Sequence, residues 1–200
     1  LDDVRLYSRP FTAAEVAQLA DPASHASADY TLVDESKIKI PLAARLENRH
    51  VRLDIDTQGR IVSLRNKNSG RELLARPAPL VRVKLKDRRS LVARQVSFRD
   101  KTLTFEFPRK LGTASLQVDS QSDFFVFTAQ ALTVPDAVSF SFFSVPVAPA
   151  KYHGRMANML SDDTDAVCLR GLDLPVEMEI GAGETLRVWR TIFEVRGAEQ

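Results

Sequence analysis

The chain has 200 residues, of which 44% are apolar and 27% are charged, and its net charge is +2. A globular chain of this length buries enough surface to fold without a metal or a disulfide, and no apolar run is long enough to predict a membrane span. A net charge this close to zero, together with the lack of any nucleic-acid motif, argues against a nucleic-acid partner.

The first residue and the single cysteine bear on origin and compartment. The chain begins at Leu1, in what reads as the middle of a strand, so we expect a fragment of a longer polypeptide. The lack of a signal peptide then says little about export. Cys168 can form no internal disulfide, and its apolar neighbours predict a small buried hydrophobic side chain.

The first twenty residues carry strong local signals. Residues 2–7 alternate polar and apolar side chains, as a half-buried strand does. The spacing of Thr12 and Glu15 predicts a capping box at the start of a short helix, which we expect to end before Pro22. The run Leu-Asp-Asp-Val-Arg-Leu-Tyr-Ser-Arg-Pro-Phe-Thr-Ala-Ala-Glu-Val resembles the last strand and trailing helix of laminin-G-like, concanavalin A-like jelly-roll domains. The resemblance implies that residues 1–20 are the tail of such a domain.

Residues 21–36 have the composition of a linker, and residues 37–200 read as one antiparallel, all-β sandwich domain. The clearest hairpin has strictly alternating strands before and after a turn at Gly59, which supplies the positive φ that such turns need. Further strands are predicted over residues 80–87, 90–99, 102–107, 113–119, 123–132, 138–148, 166–172, 174–180 and 185–196. Six of the 11 phenylalanines lie within residues 124–143, so we expect those two strands to be central and buried.

Residues 53–74 read Leu-Asp-Ile-Asp-Thr-Gln-Gly-Arg-Ile-Val-Ser-Leu-Arg-Asn-Lys-Asn-Ser-Gly-Arg-Glu-Leu-Leu. This segment is similar to the opening hairpin of galactose-mutarotase-like supersandwich domains, which occur as accessory or substrate-binding domains in glycoside hydrolases and polysaccharide lyases. The resemblance implies a supersandwich fold and a glycan-processing parent protein. It carries no catalytic residues, because the histidine and carboxylate motifs of a mutarotase are missing.

Residues 76–101 hold nine lysines and arginines against two acids. Within this stretch Arg82, Lys84 and Lys86 share one face of a predicted strand, and apolar residues share the other. Two interpretations stand: a solvated outer face, or a patch that binds an anionic glycan such as a uronate or a sulfated polymer.

Three carboxylates, Asp162, Asp163 and Asp165, lie within four residues just before a strand. Calcium takes oxygen ligands, so this loop predicts a possible calcium site, although the glycine and distal glutamate of an EF-hand loop are missing. The alternative is a plain acidic turn. A glycosidase pair is disfavoured, because its two carboxyls must flank a sugar about 5–9.5 Å apart.

Residues 151–158 form the preferred binding loop. Tyr152, His153, Arg155 and Asn158 combine a ring, an imidazole, a guanidinium and an amide, which suit stacking on a sugar and bonding to its hydroxyls. The only tryptophan, Trp189, lies in a predicted strand and is expected in the core. The scattered histidines give no zinc spacing, and no phosphate loop or nucleophile elbow occurs, so no catalytic residue is assigned.

The two resemblances lead to three hypotheses. The first is an accessory, glycan-binding region of an exported bacterial protein, secreted or periplasmic, joined to further domains. The second is the N-terminal domain of a glycoside hydrolase or polysaccharide lyase whose catalytic residues lie outside this chain. The third is a structural spacer or interaction module.

Overall fold

The computed structural model describes residues 40–148, 151–172 and 176–192. Within these ranges the chain is built from antiparallel strands with two single 3₁₀ turns, at Pro108–Lys110 and Arg155–Ala157, which confirms the predicted all-β class. No helix in this part of the chain could span a bilayer. The predicted N-terminal strand and helix, the linker and the jelly-roll tail lie outside the described residues.

The strands form four sheets. The first contains β1 Leu42–Glu47, β2 Val51–Asp56, β3 Arg60–Asn66 and β4 Ala78–Pro79. The second contains β7 Gln95–Arg99, β8 Thr102–Glu106, β9 Thr113–Ser120 and β10 Phe125–Leu132. The third contains β5 Val81–Leu85, β6 Ser90–Val92, β11 Ala137–Pro146, β15 Val176–Gly181 and β16 Thr185–Thr191. The fourth is small and contains β12 Tyr152–Gly154, β13 Met159–Ser161 and β14 Ala166–Cys168.

The predicted hairpin of the first sheet is confirmed. Strands β2 and β3 pair in the expected antiparallel register, and Gly59 lies in their turn with φ +75°. A Cβ at this position would come within 2.7 Å of Val96 Cγ2 in β7. Gly59 therefore serves both the turn and the close packing of the first sheet against the second.

One hydrophobic core joins all four sheets, with members such as Leu53, Phe105, Val83 and Leu160. Phe127 of β10 meets Phe143 of β11 edge to face, with ring centroids 4.6 Å apart. Fully burying one such side chain contributes about 1.5–3 kcal/mol. These contacts give the molecule a sandwich-like packing of sheet on sheet.

Three strand predictions need correction. Residues 90–99 form two strands, because the chain turns at Ala93 from the third sheet into the second. The expected central strand β10 is an edge strand paired only with β9, and Phe124 beside it is 58% exposed. The short strands β12 and β13 were not predicted, since three residues carry too little alternation to be recognised.

Candidate functional site

The outward side of the third sheet gathers an aromatic ring, hydroxyls and positive charges. The strands lie in the order β15-β16-β11-β5-β6. Trp189 of β16 is opposite Ser141 of β11, and Ser141 is opposite Arg82 of β5. Ser139 and Lys84 form the neighbouring pair. We call these five residues the outer sheet face.

Alternation along the strands creates this surface. Val81, Val83 and Leu85 of β5 point into the core, whereas Arg82 and Lys84 between them are exposed, as predicted. On β16 the buried positions are Leu186 and Val188, so Trp189 takes the opposite side and is half-buried. The expectation that Trp189 belongs to the core is therefore wrong, because its strand neighbours occupy the inward positions.

The positive charges of the outer sheet face are left to solvent. Neither Arg82 nor Lys84 contacts an acidic side chain within the described residues. Lys86 differs from them: it follows β5 in a turn, and its Nζ lies 3.8 Å from Asp136 Oδ1. All three residues of the predicted basic patch are exposed, and only Lys86 has an acidic neighbour among the residues that the structure describes.

In the predicted binding loop two side chains are open to solvent, and a third, Tyr152, is held by its neighbours. His153 and Arg155 are exposed, and Tyr152 is half exposed. The Tyr152 hydroxyl donates to Asp163 Oδ1 at 3.0 Å, and Lys151 Nζ lies 2.7 Å from Asp163 Oδ2 and 5.1 Å from the Tyr152 ring centroid. The tyrosine ring is therefore held by neighbours, with part of its surface accessible.

Asn158 is a structural residue of this loop. It is 1% exposed and adopts a left-handed conformation with φ +47°. Its Nδ2 donates to the carbonyls of Leu169 at 2.7 Å and Arg187 at 3.3 Å. Its Oδ1 is buried without a hydrogen-bond partner. A side chain that is 1% exposed is not presented to a sugar, so its predicted role as a ligand residue gains no support.

The acidic loop, residues 161–165, is held together by its own hydrogen bonds and by Arg71. Asp162 Oδ1 accepts the backbone N–H groups of Thr164 and Asp165, each at 2.9 Å, and Oδ2 lies 2.7 Å from Arg71 Nη1. Donation by these two amides, together with the Thr164 hydroxyl and Arg71, holds the pKa of the Asp162 carboxyl well below its usual range.

Asp165 anchors the acidic loop to the first sheet. Its Oδ1 accepts from Asn66 Nδ2 at 2.6 Å, and its Oδ2 lies 3.2 Å from Arg71. Asp163 turns instead toward Lys151. Among the described residues no group of three or more histidine, cysteine or acidic side chains is arranged to hold a metal, so the calcium prediction gains no support.

Cys168 is another correction. It lies at the end of β14, on the edge of the small fourth sheet, and it is exposed rather than buried. Its thiol lies 3.1 Å from the Ala157 carbonyl, and partial burial raises the pKa of the thiol. The apolar neighbours in sequence misled the prediction, because an edge strand of three residues has little core to offer.

Comparisons with family models, with curated proteins and with solved structures find no match to this chain.

Proposed function

We propose that the chain is an accessory, non-catalytic carbohydrate-binding region that binds an anionic polysaccharide across the outer sheet face. The observation that carries the proposal is the register of Trp189, Ser141 and Arg82 on three adjacent strands. Neighbouring strands lie about 4.8 Å apart, so the ring and the guanidinium begin from backbones about 10 Å apart. That span suits a ligand with several linked units.

Each group on this surface has a role in sugar recognition. The half-buried Trp189 ring offers a flat apolar surface with little loss of side-chain entropy on binding. Ser139 and Ser141 provide hydroxyls that both donate and accept hydrogen bonds. Arg82 and Lys84 supply charge, and an arginine can bind a carboxylate or sulfate with two parallel hydrogen bonds.

Binding is proposed rather than catalysis because these five side chains include no carboxylate or imidazole. Glu177, which is opposite Trp189 on β15, would supply one carboxyl where hydrolysis of a glycosidic bond needs two. Tyr152, His153 and Arg155 are also exposed, and we propose them as a second, smaller region for contact with a sugar. The resemblances noted in the sequence extend the proposal to an exported bacterial glycan-processing protein with further domains.

Titration of the 200-residue chain with polygalacturonate, chondroitin sulfate and neutral dextran tests the proposal. Trp189 is the only tryptophan, so its fluorescence reports directly on this surface. We expect the anionic polymers to change the emission with saturation, and dextran to have a much weaker effect. Calorimetry serves for Trp189→Ala, which lacks the fluorophore.

The variants locate the site. Arg82→Gln with Lys84→Gln, and separately Trp189→Ala, should each weaken binding of the anionic polymer about tenfold, as expected for the loss of one or two charged hydrogen bonds or a stacking contact. Arg99→Gln removes an exposed charge from β7 in the second sheet and should bind normally. Folded variants that all bind like the unmodified chain, or no binding to any polymer, would contradict the proposal and favour a spacer or a partial active site.

A further inference from the structure

A second concentration of positive charge lies on the first sheet. Glu47 of β1 is opposite Arg52 of β2, and Arg52 is opposite Arg65 of β3. The turn after β3 adds Lys67 and Gly70, and these five residues line a cavity of about 260 Å³. We call it the cationic pocket. Three cationic side chains against one carboxylate leave an excess of positive charge.

Hydrogen bonds fix two of these cations at the rim. Arg65 Nε donates to the Gly70 carbonyl at 2.7 Å, and Lys67 Nζ donates to the Asn48 carbonyl at 2.8 Å. Lys67 is only weakly paired with Glu47, at 3.5 Å. Backbone carbonyls orient these side chains without neutralising them, so their charge remains available in the pocket.

Arg52 differs from the other residues that line the cationic pocket. Its Nε is buried and has no hydrogen-bond partner. The nearest carboxylate oxygen, Asp54 Oδ2, is 3.6 Å away, which is too long for a hydrogen bond. Asp54 already binds Arg45 through both oxygens, at 2.9 and 3.1 Å. A buried cationic donor without an acceptor is costly, and native structures rarely leave one unexplained.

We propose that the cationic pocket binds one tetrahedral oxyanion group, a sulfate or a phosphate. Pockets for drug-sized ligands are about 300–1,000 Å³, so this cavity suits a single charged group rather than a polymer segment. A tetrahedral oxyanion offers several acceptors to forked arginine donors and a lysine at once. The site belongs to the first sheet and does not depend on the glycan surface of the third sheet.

A chemical-shift titration of the ¹⁵N-labelled 200-residue chain tests this inference. Sodium sulfate and sodium phosphate are added at constant ionic strength, with sodium chloride as the reference. We expect saturable shifts at the amides of residues 47, 52 and 65–70. Glucose 6-phosphate distinguishes the source: tighter binding than inorganic phosphate indicates a group carried on a larger ligand, and equal binding indicates the free ion.

Arg52→Gln should weaken sulfate and phosphate binding at least tenfold while leaving polysaccharide binding unchanged. Arg82→Gln should do the reverse, so failure of either proposal can be told from failure of the other. Lys67→Gln, in a turn outside the strand ladder, provides the same test if Arg52→Gln does not fold. Shifts that do not saturate, equal binding by these variants, or acetate binding as tightly as sulfate would overturn the assignment.

Discussion

Strand β5 and the acidic loop both carry several charged side chains, but only those of the acidic loop are paired with opposite charges. In the acidic loop, Asp162 and Asp165 meet Arg71, and Asp163 meets Lys151. On β5, Arg82 and Lys84 meet no acidic side chain within the described residues. Charge clustering alone therefore does not indicate a binding site; what matters is whether the folded chain already supplies the counter-charge.

The difference has an energetic basis. Each carboxylate of the acidic loop that is shielded from water must be compensated by donors, since an uncompensated buried charge is strongly destabilising. The side chains of β5 are solvated and incur no such cost. The acidic loop thus contributes to stability, whereas the charges of β5 remain exposed to solvent, where the proposed ligand could reach them.

Removing the buried carboxylate should have the largest effect. Asp165→Ala leaves Asn66 Nδ2 without its acceptor and removes one of the two carboxylates that Arg71 contacts, and we expect it to lower the free energy of unfolding by about 2–3 kcal/mol. Urea denaturation measures the change. Asp163→Ala is the matched control, because Asp163 is exposed and its loss should cost far less. Equal losses for the two variants would mean that the acidic loop does not anchor the first sheet.

Lowering the pH should also show that the acidic loop stabilises the fold, with a smaller effect on stability than Asp165→Ala. The pKa of Asp162 is lowered in the fold, so its contribution is present above the unfolded-state pKa of about 3.9 and is lost as the pH falls through the folded value. We expect Asp162→Asn to flatten the decline in stability below about pH 4. Thermal unfolding from pH 7 to pH 2 measures it, and Asp100→Asn, at an exposed carboxyl outside the acidic loop, controls for the loss of one negative charge. If Asp162→Asn leaves the slope of stability against pH unchanged, the acidic loop does not contribute to the loss of stability in acid.

The smallest stability change is expected on β5. Arg82→Gln and Lys84→Gln each remove an exposed side chain without a pairing partner among the described residues, so unfolding free energies should stay within about 0.5 kcal/mol of the unmodified chain. Urea denaturation again provides the measurement. If either variant lowers the free energy of unfolding as much as Asp165→Ala does, these charges stabilise the fold, and their proposed role in binding a ligand loses support.

Local pattern predicted some parts of this molecule well. The alternation of β5 and the turn at Gly59 are written in consecutive residues, and both were recovered with their inward and outward faces. The same reasoning failed at residues 90–99, where Arg94 and Gln95 interrupt the alternation at the point at which the chain changes sheets, and one strand was expected across that break. Periodicity reports which side chains are apolar, not which sheet they cover.

The arrangement of the candidate site could not be predicted from short stretches of sequence, because it depends on contacts between distant residues. Arg71 and Asn66 meet Asp165 across more than ninety positions of sequence, so the acidic loop looked like a candidate metal site when read alone. Trp189 is expected in the core from its place in a strand, whereas the burial of Leu186 and Val188 puts it on the outward side. Its position beside Ser141 and Arg82 follows only from the strand pairing. Strand pairing decides which residues are neighbours on adjacent strands, and the sequence pattern does not determine that pairing.

The third sheet is assembled from distant parts of the chain. Strand β11 pairs with β5, yet β6 and every strand of the second sheet lie between them in sequence. The second sheet, by contrast, is a meander whose neighbours follow one another directly. Closing a long loop costs chain entropy before its contacts repay it. The surface proposed to bind glycan therefore depends on the most non-local pairing between two strands in the described residues, and the complete meander of the second sheet lies between those two strands in sequence.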